Sequence, residues 1–298
     1  MPQNPLILVL GDDGWPPIRG ATVLCRRPVA EWSLRARPGR LETLAHDGTW
    51  LDVSGVVWCS QFDLEPQLER SALETIRQSG VPCLNSAEAC LDNGSRMASH
   101  HRLREAGLPV LPMVAFFGNA ALASHKPHFP SVLKVGGHHM GYGKAKIGTR
   151  EAWNDAVDMA ALSRDFAILE PYVDYTVDLR ITILCGEMHA LRRKPSQWKA
   201  NVCPTSVKLV PVPVALRQPS LLAAESLGAE IVGLDWLRNS AGEWFLLEAN
   251  LAPGLVFPGK DLRDVVARRL LSRLSGARPR GRKYLGSSGN LVGFGSSD

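Results

Sequence analysis

The chain has 298 residues, 45% hydrophobic and 21% charged, a balance that excludes extended disorder and supports two or three subdomains around a sizeable core. Its net charge of +5 and pI near 9.0 suit an anionic ligand, yet part of the excess lies in Arg278 to Lys283, and no zinc-finger spacing, RNP-type aromatic signature or basic recognition helix points to nucleic acid. The longest apolar run near the N-terminus, Leu6 to Leu10, is far short of the roughly 18 residues of a membrane span, and the six cysteines show no C-x-x-C pair, so we expect a cytoplasmic protein with reduced thiols and no membrane partner.

Leu6 to Leu10 followed by Gly11-Asp12-Asp13-Gly14 reads as strand and turn, residues 56–59 as a buried strand, 66–79 as an amphipathic helix closed by Gly80, and 81–85 as a short strand. That alternation predicts a small three-layer α/β domain over residues 1–92. Its first loop lacks the G-x-G-x-x-G spacing of a dinucleotide fingerprint. A helix over 86–106, ended by Gly107 and Pro109, leads to strand character over 110–117. Residues 130–148, PSVLKVGGHHMGYGKAKIG, hold a strand, a glycine-rich loop and a second strand. A helix over 151–163 and strands over 166–171, 177–185 and 187–193 follow, then a helix over 218–228 and a strand pair over 230–237 and 243–250. Asp261 reads as the cap of a final helix carrying Leu262, Val265, Val266, Leu270 and Leu274 on one face. Residues 276–298 are Gly/Ser-rich and basic and read as a disordered tail.

The segment WFLLEANLAPG, from Trp244 to Gly254, ends a strand with Glu248 and Asn250 on one side, because strand side chains alternate faces. Asp235 is the single acid of the preceding apolar strand, and Asn239 to Gly242 make the hairpin turn between them. These three oxygen-bearing side chains can converge, and oxygen-only ligation suits Mg²⁺ or Mn²⁺. Rim charges at strand ends are the alternative. Lys134 sits on an apolar strand before Gly136, Gly137, Gly141 and Gly143, which let backbone N–H groups approach phosphate oxygens; a flexible hairpin is the alternative. His138 and His139 read either as phosphate contacts or as surface imidazoles. Glu170-Pro171-Tyr172-Val173 makes a Pro-fixed bend, Asp178 and Arg180 share one strand face, and Arg192-Arg193-Lys194 and Trp198-Lys199-Ala200-Asn201 follow. Separately these are solvated charges; together they make a cationic surround for a polyphosphate.

Taken in order, the motifs resemble the ATP-grasp superfamily from Leu6 to about Leu274, and are most similar to the RimK-like amino-acid ligases and synapsin. The segment NSAEACLDNGSRMASHHRL is similar to the linker helix of that group, where the Lys that usually reaches the nucleotide is either replaced by Arg96 or missing. The resemblance implies an α/β fold with an N-terminal Rossmann-like pre-ATP-grasp domain (1–92), followed by two α+β subdomains. These are a central lid subdomain with the glycine loop (93–165) and a C-terminal subdomain with the metal site (166–275). It further implies that Lys134 holds the α/β-phosphates beneath Gly136, Gly137, Gly141 and Gly143. The hinge Glu170, Pro171, Tyr172 and Val173 would read adenine, and Asp178 the ribose. Lys199 and Asn201 would lie near the γ-phosphate, and Asp235, Glu248 and Asn250 would hold two Mg²⁺ ions. Arg180 and Arg193, in preference to Arg192, would stabilise an acyl phosphate.

The implied activity is that of an ATP- and Mg²⁺-dependent carboxylate–amine ligase. It would form an amide or peptide bond and release ADP and phosphate, with small-molecule or peptide carboxylates and amines as substrates. The sequence leaves the oligomeric state open between a monomer and a homo-oligomer, although relatives are often dimers or tetramers. A synapsin-like ATP-binding or regulatory protein is the alternative, and a small-molecule kinase a third reading. Trp15, Trp32 and Trp198 read as substrate walls or as packing.

Overall fold

The computed structural model describes residues 4–59, 65–137, 141–163, 165–195, 197–199 and 204–276. The apolar LILVL run forms β1 (Leu6–Leu10), buried from Ile7 onward. It pairs in parallel with β2 (Thr22–Arg26). The chain then makes an antiparallel meander, β3 (Leu34–Arg37), β4 (Arg40–Leu44) and β5 (Trp50–Val53). This sheet does not stand out as strand in the sequence, because its elements are only four or five residues long. Cross-strand pairs Arg35–Glu42 at 2.6 Å and Arg40–Asp52 at 2.5 Å stitch it together.

The strand β6 (Gly55–Trp58) returns to the other side of β1, and helix α1 (Pro66–Ser79) follows. Proline at its first turn and Gly80 in the left-handed region, with φ 68°, set the two ends of α1. The short β7 (Cys83–Leu84) completes a four-stranded parallel sheet in the order β2-β1-β6-β7.

The single helix expected over 86–106 is two. Ser86 caps α2 (Ala87–Asp92) by accepting from the Ala89 N–H at 3.1 Å. Ser95 caps α3 (Arg96–Glu105) by accepting from Ala98 N–H at 3.1 Å. Two competent N-caps within one apolar pattern, separated by Gly94, impose the break.

A second unit contains β8 (Val114–Phe116), α4 (Asn119–Ser124), β9 (Ser131–Val135), β10 (Lys144–Ile147), α5 (Arg150–Ser163) and β11 (Ala167–Pro171). Its sheet runs β10-β9-β11-β8, and α5 buries Trp153, Ala156 and Val157 against Leu133 and Leu169. The third unit comprises β12 (Tyr175–Leu184), β13 (Glu187–Lys194), β14 (Ser206–Val210), α6 (Val214–Ser226), β15 (Ile231–Asn239) and β16 (Trp244–Asn250). These strands form an antiparallel sheet ordered β14-β13-β12-β15-β16, on which α3 and α6 pack through Leu103, Leu216 and Ala223. The helix α6 starts earlier than expected and accommodates Pro219 in its interior.

The chain finishes with the two-residue strands β17 (Val256–Phe257) and β18 (Lys260–Asp261), then α7 (Arg263–Leu274). Asp261 is not the cap of α7. Leu262 takes that position without a side-chain cap bond, and the Asp261 carboxylate pairs with the Arg263 guanidinium at 2.6 Å. Leu262, Val266 and Leu270 are buried as the one-face pattern predicts. With Ile7, Val9 and Val57 of the parallel sheet and Leu184 and Ile231 of the third unit, they build one core cluster across both units. The five described cysteines are free thiols. The proposed tail from residue 277 onward lies outside the described residues.

Candidate functional site

Lys134 stands in the middle of β9, 3% exposed, with its ammonium 2.5 Å from the Glu170 carboxylate of neighbouring β11. Burial pushes the Lys134 ammonium below its ordinary pKa, while Glu170 works against that shift. In the β9–β10 register Lys144 lies directly opposite Lys134, so two cations flank the turn between these strands. Gly136, Gly141 and Gly143 take φ of 67°, 81° and 64°, conformations that explain glycine at these three positions. Val135 N–H donates to the Gly143 carbonyl at 2.7 Å, and Lys199 Nζ donates to the Gly141 carbonyl at 3.0 Å. Gly137 is exposed, whereas His138, His139 and Asn201 lie outside the described residues.

A second centre is built on the long antiparallel sheet. Arg180 on β12 faces Asp235 on β15, and its Nε and a terminal nitrogen donate to the two carboxylate oxygens at 2.7 and 2.8 Å. Arg193 faces Asp178 across β12–β13, bonding its Oδ1 at 2.5 Å and reaching Asp235 at 3.1 Å. Arg192 points away and is exposed, as strand alternation requires. Burial pushes the Asp178 carboxyl up to about 6, with Arg193 opposing. Asp235, followed by burial acting the other way, is the main influence on Arg180, whose pKa is raised.

On the outer side of β15, Glu248 lies directly opposite Asp235, and Asn250 opposite Gly233. The ladder then passes from Asp235–Glu248 to Trp236–Leu246, so Leu247 is a bulge residue without a partner of its own. The Glu248 carboxylate accepts from Arg96 at 2.6 Å and Lys144 at 3.4 Å. Burial alone would raise its pKa, but Lys144, Arg96 and Lys134 outweigh burial and hold it well below the carboxylate range. Asn250 Oδ1 accepts from Ala252 N–H at 2.9 Å, folding the Leu251–Pro253 turn back over the sheet. Glycine is required at 233 because a Cβ there would lie 2.9 Å from the Pro253 Cβ.

One cleft is lined by Lys134, Lys144, Glu170, Pro171, Tyr172, Val173, Asp178, Arg193, Lys199 and Asp235, with Tyr175, Trp198 and Leu247. A second is lined by Arg96, Glu248 and Asn250, and again by Glu170 and Leu247. Of the expected phosphate residues Lys134 and Lys199 share one cavity with the hinge and Asp178, whereas Gly137 lines the second cavity and Gly136, Gly141, Gly143 and Arg180 line neither. The three expected metal ligands lie on one strand pair but line two adjoining cavities. Their donor set, two facing carboxylates and an amide oxygen, suits a hard divalent cation. Among the described residues no trio of His, Cys, Asp and Glu forms a metal centre. Lys144 and Tyr175 carry no assignment from sequence; for Lys144 the signal is a lysine one residue beyond the last loop glycine. Of the three tryptophans, Trp198 faces the cleft, Trp15 is core, and Trp32 packs edge-on against Trp58 at 5.5 Å.

Residues 95–236 match the family model for the synapsin ATP-binding domain. The fold matches D-alanyl-alanine synthetase A from Vibrio cholerae with a TM-score of 0.68, at 14% identity, over 92% of this chain and 99% of that one. The fold is also similar to that of a RimK domain ATP-grasp protein from Sphaerobacter thermophilus, with a TM-score of 0.64 at 17% identity over 89% of this chain and 99% of that one. Macrocyclase MdnC from Microcystis aeruginosa, solved bound with precursor peptide MdnA, shares this ATP-grasp fold with a TM-score of 0.67 at 13% identity, over 90% and 99% of the two chains. In sequence, a probable alpha-L-glutamate ligase from Haemophilus influenzae is 25% identical over 203 residues, or 63% of this chain. The match spans 65% of that relative's length. Among the described residues no helix is long and apolar enough to cross a membrane.

Proposed function

We propose that this ATP-grasp chain is an ATP- and Mg²⁺-dependent carboxylate–amine ligase, with residues 1–92 as a Rossmann-like pre-ATP-grasp domain, 93–165 as the lid and 166–275 as the metal-bearing subdomain. The observation that carries the reading is the register of Asp235 against Glu248 where the two clefts adjoin, with Lys134 and Lys144 at the same place. A polyphosphate is favoured because the first cleft sets four cations, Lys134, Lys144, Arg193 and Lys199, against three carboxylates, Glu170, Asp178 and Asp235.

Asp235, Glu248 and Asn250 would hold Mg²⁺, two ions in the fullest reading, and the metal would neutralise charge on the transferring phosphoryl group. Lys134, Lys144 and the glycine turn would receive the α/β-phosphates, and Lys199 and Asn201 the γ-phosphate. The backbone of Pro171 to Val173 would receive adenine and Asp178 the ribose. A substrate carboxylate oxygen attacks the γ-phosphorus and ADP leaves. An amine nitrogen then attacks the acyl carbon, loses a proton, and inorganic phosphate departs, leaving an amide. Arg180 and Arg193, fixed by Asp235 and Asp178, are positioned to offset the charge on the acyl phosphate and the departing phosphate. The acid and amine are small molecules or peptides, in keeping with the glutamate-ligase relative and the peptide-bound macrocyclase.

Phosphate release from ATP, measured over a matrix of carboxylates and amines, tests the reading: release must require one of each. A synapsin-like ATP-binding role is favoured by one observation, the pairing of Arg96 with Glu248. Tight ATP binding without turnover anywhere in the matrix would replace the ligase reading with that one.

A further inference from the structure

Around the Pro171–Val173 bend, at one end of the first cleft, a series of contacts links separate elements of the chain. In the β10-β9-β11 part of the sheet Lys146 lies opposite Val132, and Val132 opposite Glu170, so the three side chains leave the same face. The Tyr172 N–H donates to the Pro130 carbonyl at 3.0 Å, which extends the ladder beyond Pro171 and places the Tyr172 ring on that face too. There the Lys146 ammonium stands over the ring, 3.6 Å from its centroid. The Tyr172 ring in turn packs edge-on against Trp198, with centroids 6.5 Å apart and planes at 73°. The Trp198 carbonyl accepts from the Tyr175 hydroxyl at 3.0 Å, and the adjoining Lys199 reaches the glycine turn at the Gly141 carbonyl.

Two features set Lys146 apart from an ordinary surface lysine. Among the described residues it makes no ion pair, because Glu170, the carboxylate in its row, is bound to Lys134. Its ammonium is committed to the ring face, where the ring quadrupole attracts a cation within about 6 Å. Lys146 also stands outside the lining of the cleft, to which Tyr172, Tyr175 and Trp198 all belong. It therefore touches the aromatic wall from behind. Without the cation the Tyr172 ring keeps only its edge contact with Trp198, other rotamers open to it, and the wall loses its fixed shape.

We propose that Lys146 is a positioning residue for the base of the nucleotide: by pinning the Tyr172 ring against Trp198 it shapes the wall on which a planar purine rests, without touching the phosphates. The proposal rests on the nucleotide reading of this cleft but needs no turnover, so its test is binding to the full chain. Adenosine and ATP are titrated by ligand-observed NMR, because adenosine carries the base without the phosphates and separates ring positioning from phosphate contact. Lys146→Met should weaken both ligands by the same factor, about fivefold. Lys146→Arg keeps a cation over the ring and should hold both affinities within about twofold of the unaltered chain. In a Tyr172→Leu background, Lys146→Met should have no further effect. Lys146 is exposed, and its replacement should move the melting temperature by less than about 2 °C.

Loss of ATP affinity with adenosine unchanged would make Lys146 a phosphate contact and overturn the proposal. Unchanged affinity for both ligands, or additive losses in the double variant, would overturn it as well. An unaltered chain that binds neither adenosine nor ATP overturns the nucleotide reading and this proposal with it. The expected binding pattern without phosphate release in the matrix of acids and amines instead tells against the ligase reading alone.

Discussion

The side-chain amide of Asn85, just after β7, donates to the Leu251 carbonyl at 2.6 Å, one residue beyond Asn250. The same amide donates to Ile231 O at 2.6 Å and accepts from the N–H groups of Glu230 at 2.9 Å and Ile231 at 2.8 Å. One residue, 1% exposed, thereby ties the parallel sheet to the start of β15 and to the turn after β16. Asn85→Ala leaves these buried backbone groups unsatisfied and should cost about 3 kcal/mol, read from urea unfolding. A loss below 1 kcal/mol would mean that water or local movement replaces the tie.

Lys134→Ala should weaken ATP binding at least tenfold by calorimetry. It also strands Glu170, which is 4% exposed, so a stability loss of about 3–5 kcal/mol is expected with it. The double variant Lys134→Ala/Glu170→Ala separates the effects: stability should recover in large part and ATP affinity should not. ATP affinity unchanged in the double variant would remove Lys134 from the nucleotide site.

Glu248→Ala should abolish Mg²⁺-dependent turnover with the circular dichroism spectrum preserved; retained activity counts against the metal assignment. Arg96→Met addresses the same carboxylate from the other side. Arg96 holds Glu248 at 2.6 Å, and removing that competing cation should raise Mn²⁺ affinity roughly tenfold, measured by EPR with a non-hydrolysable ATP analogue. Weaker Mn²⁺ binding in the variant would show that Arg96 supports the metal site instead of competing for it.

Burial holds the His100 pKa below its unfolded value of 6.5. The unfolded chain therefore takes up the extra proton as pH falls through 6.5, and stability declines until the folded-state pKa is passed. Asp178, pushed up to about 6, acts in the opposite sense below that pH, because its folded form binds the proton more readily. The informative quantity is thus the difference between wild type and His100→Gln. The wild type should lose more melting temperature than the variant between pH 7.5 and 5.5, and parallel curves would contradict the assigned burial effect.

Strand patterning carries most of what is legible in the sequence. One acid on an apolar run marks Asp235, and alternation puts Asp178 and Arg180 on one face, whereas the choice of Arg193 over Arg192 comes from the family resemblance. The meander over 34–53 carries an apolar stripe, Leu34, Ala36, Leu41 and Val53, packed with Leu8 and Ile76, but in strands of only four or five residues, too short for the alternation to stand out. The break between α2 and α3 turns on two serine caps that an apolar pattern does not register. Asp261 sits one residue before the cap position, and its carboxylate accepts from both the backbone N–H and the guanidinium of Arg263. Nor can sequence show that Arg96 reaches Glu248 across 152 residues, a contact that only the assembled sheet and helix create.

The bulge at Leu247 has one more consequence. With Glu170, this side chain belongs to the walls of both cavities. The two cavities adjoin along these two side chains, so trimming Leu247 to alanine should widen the opening between them.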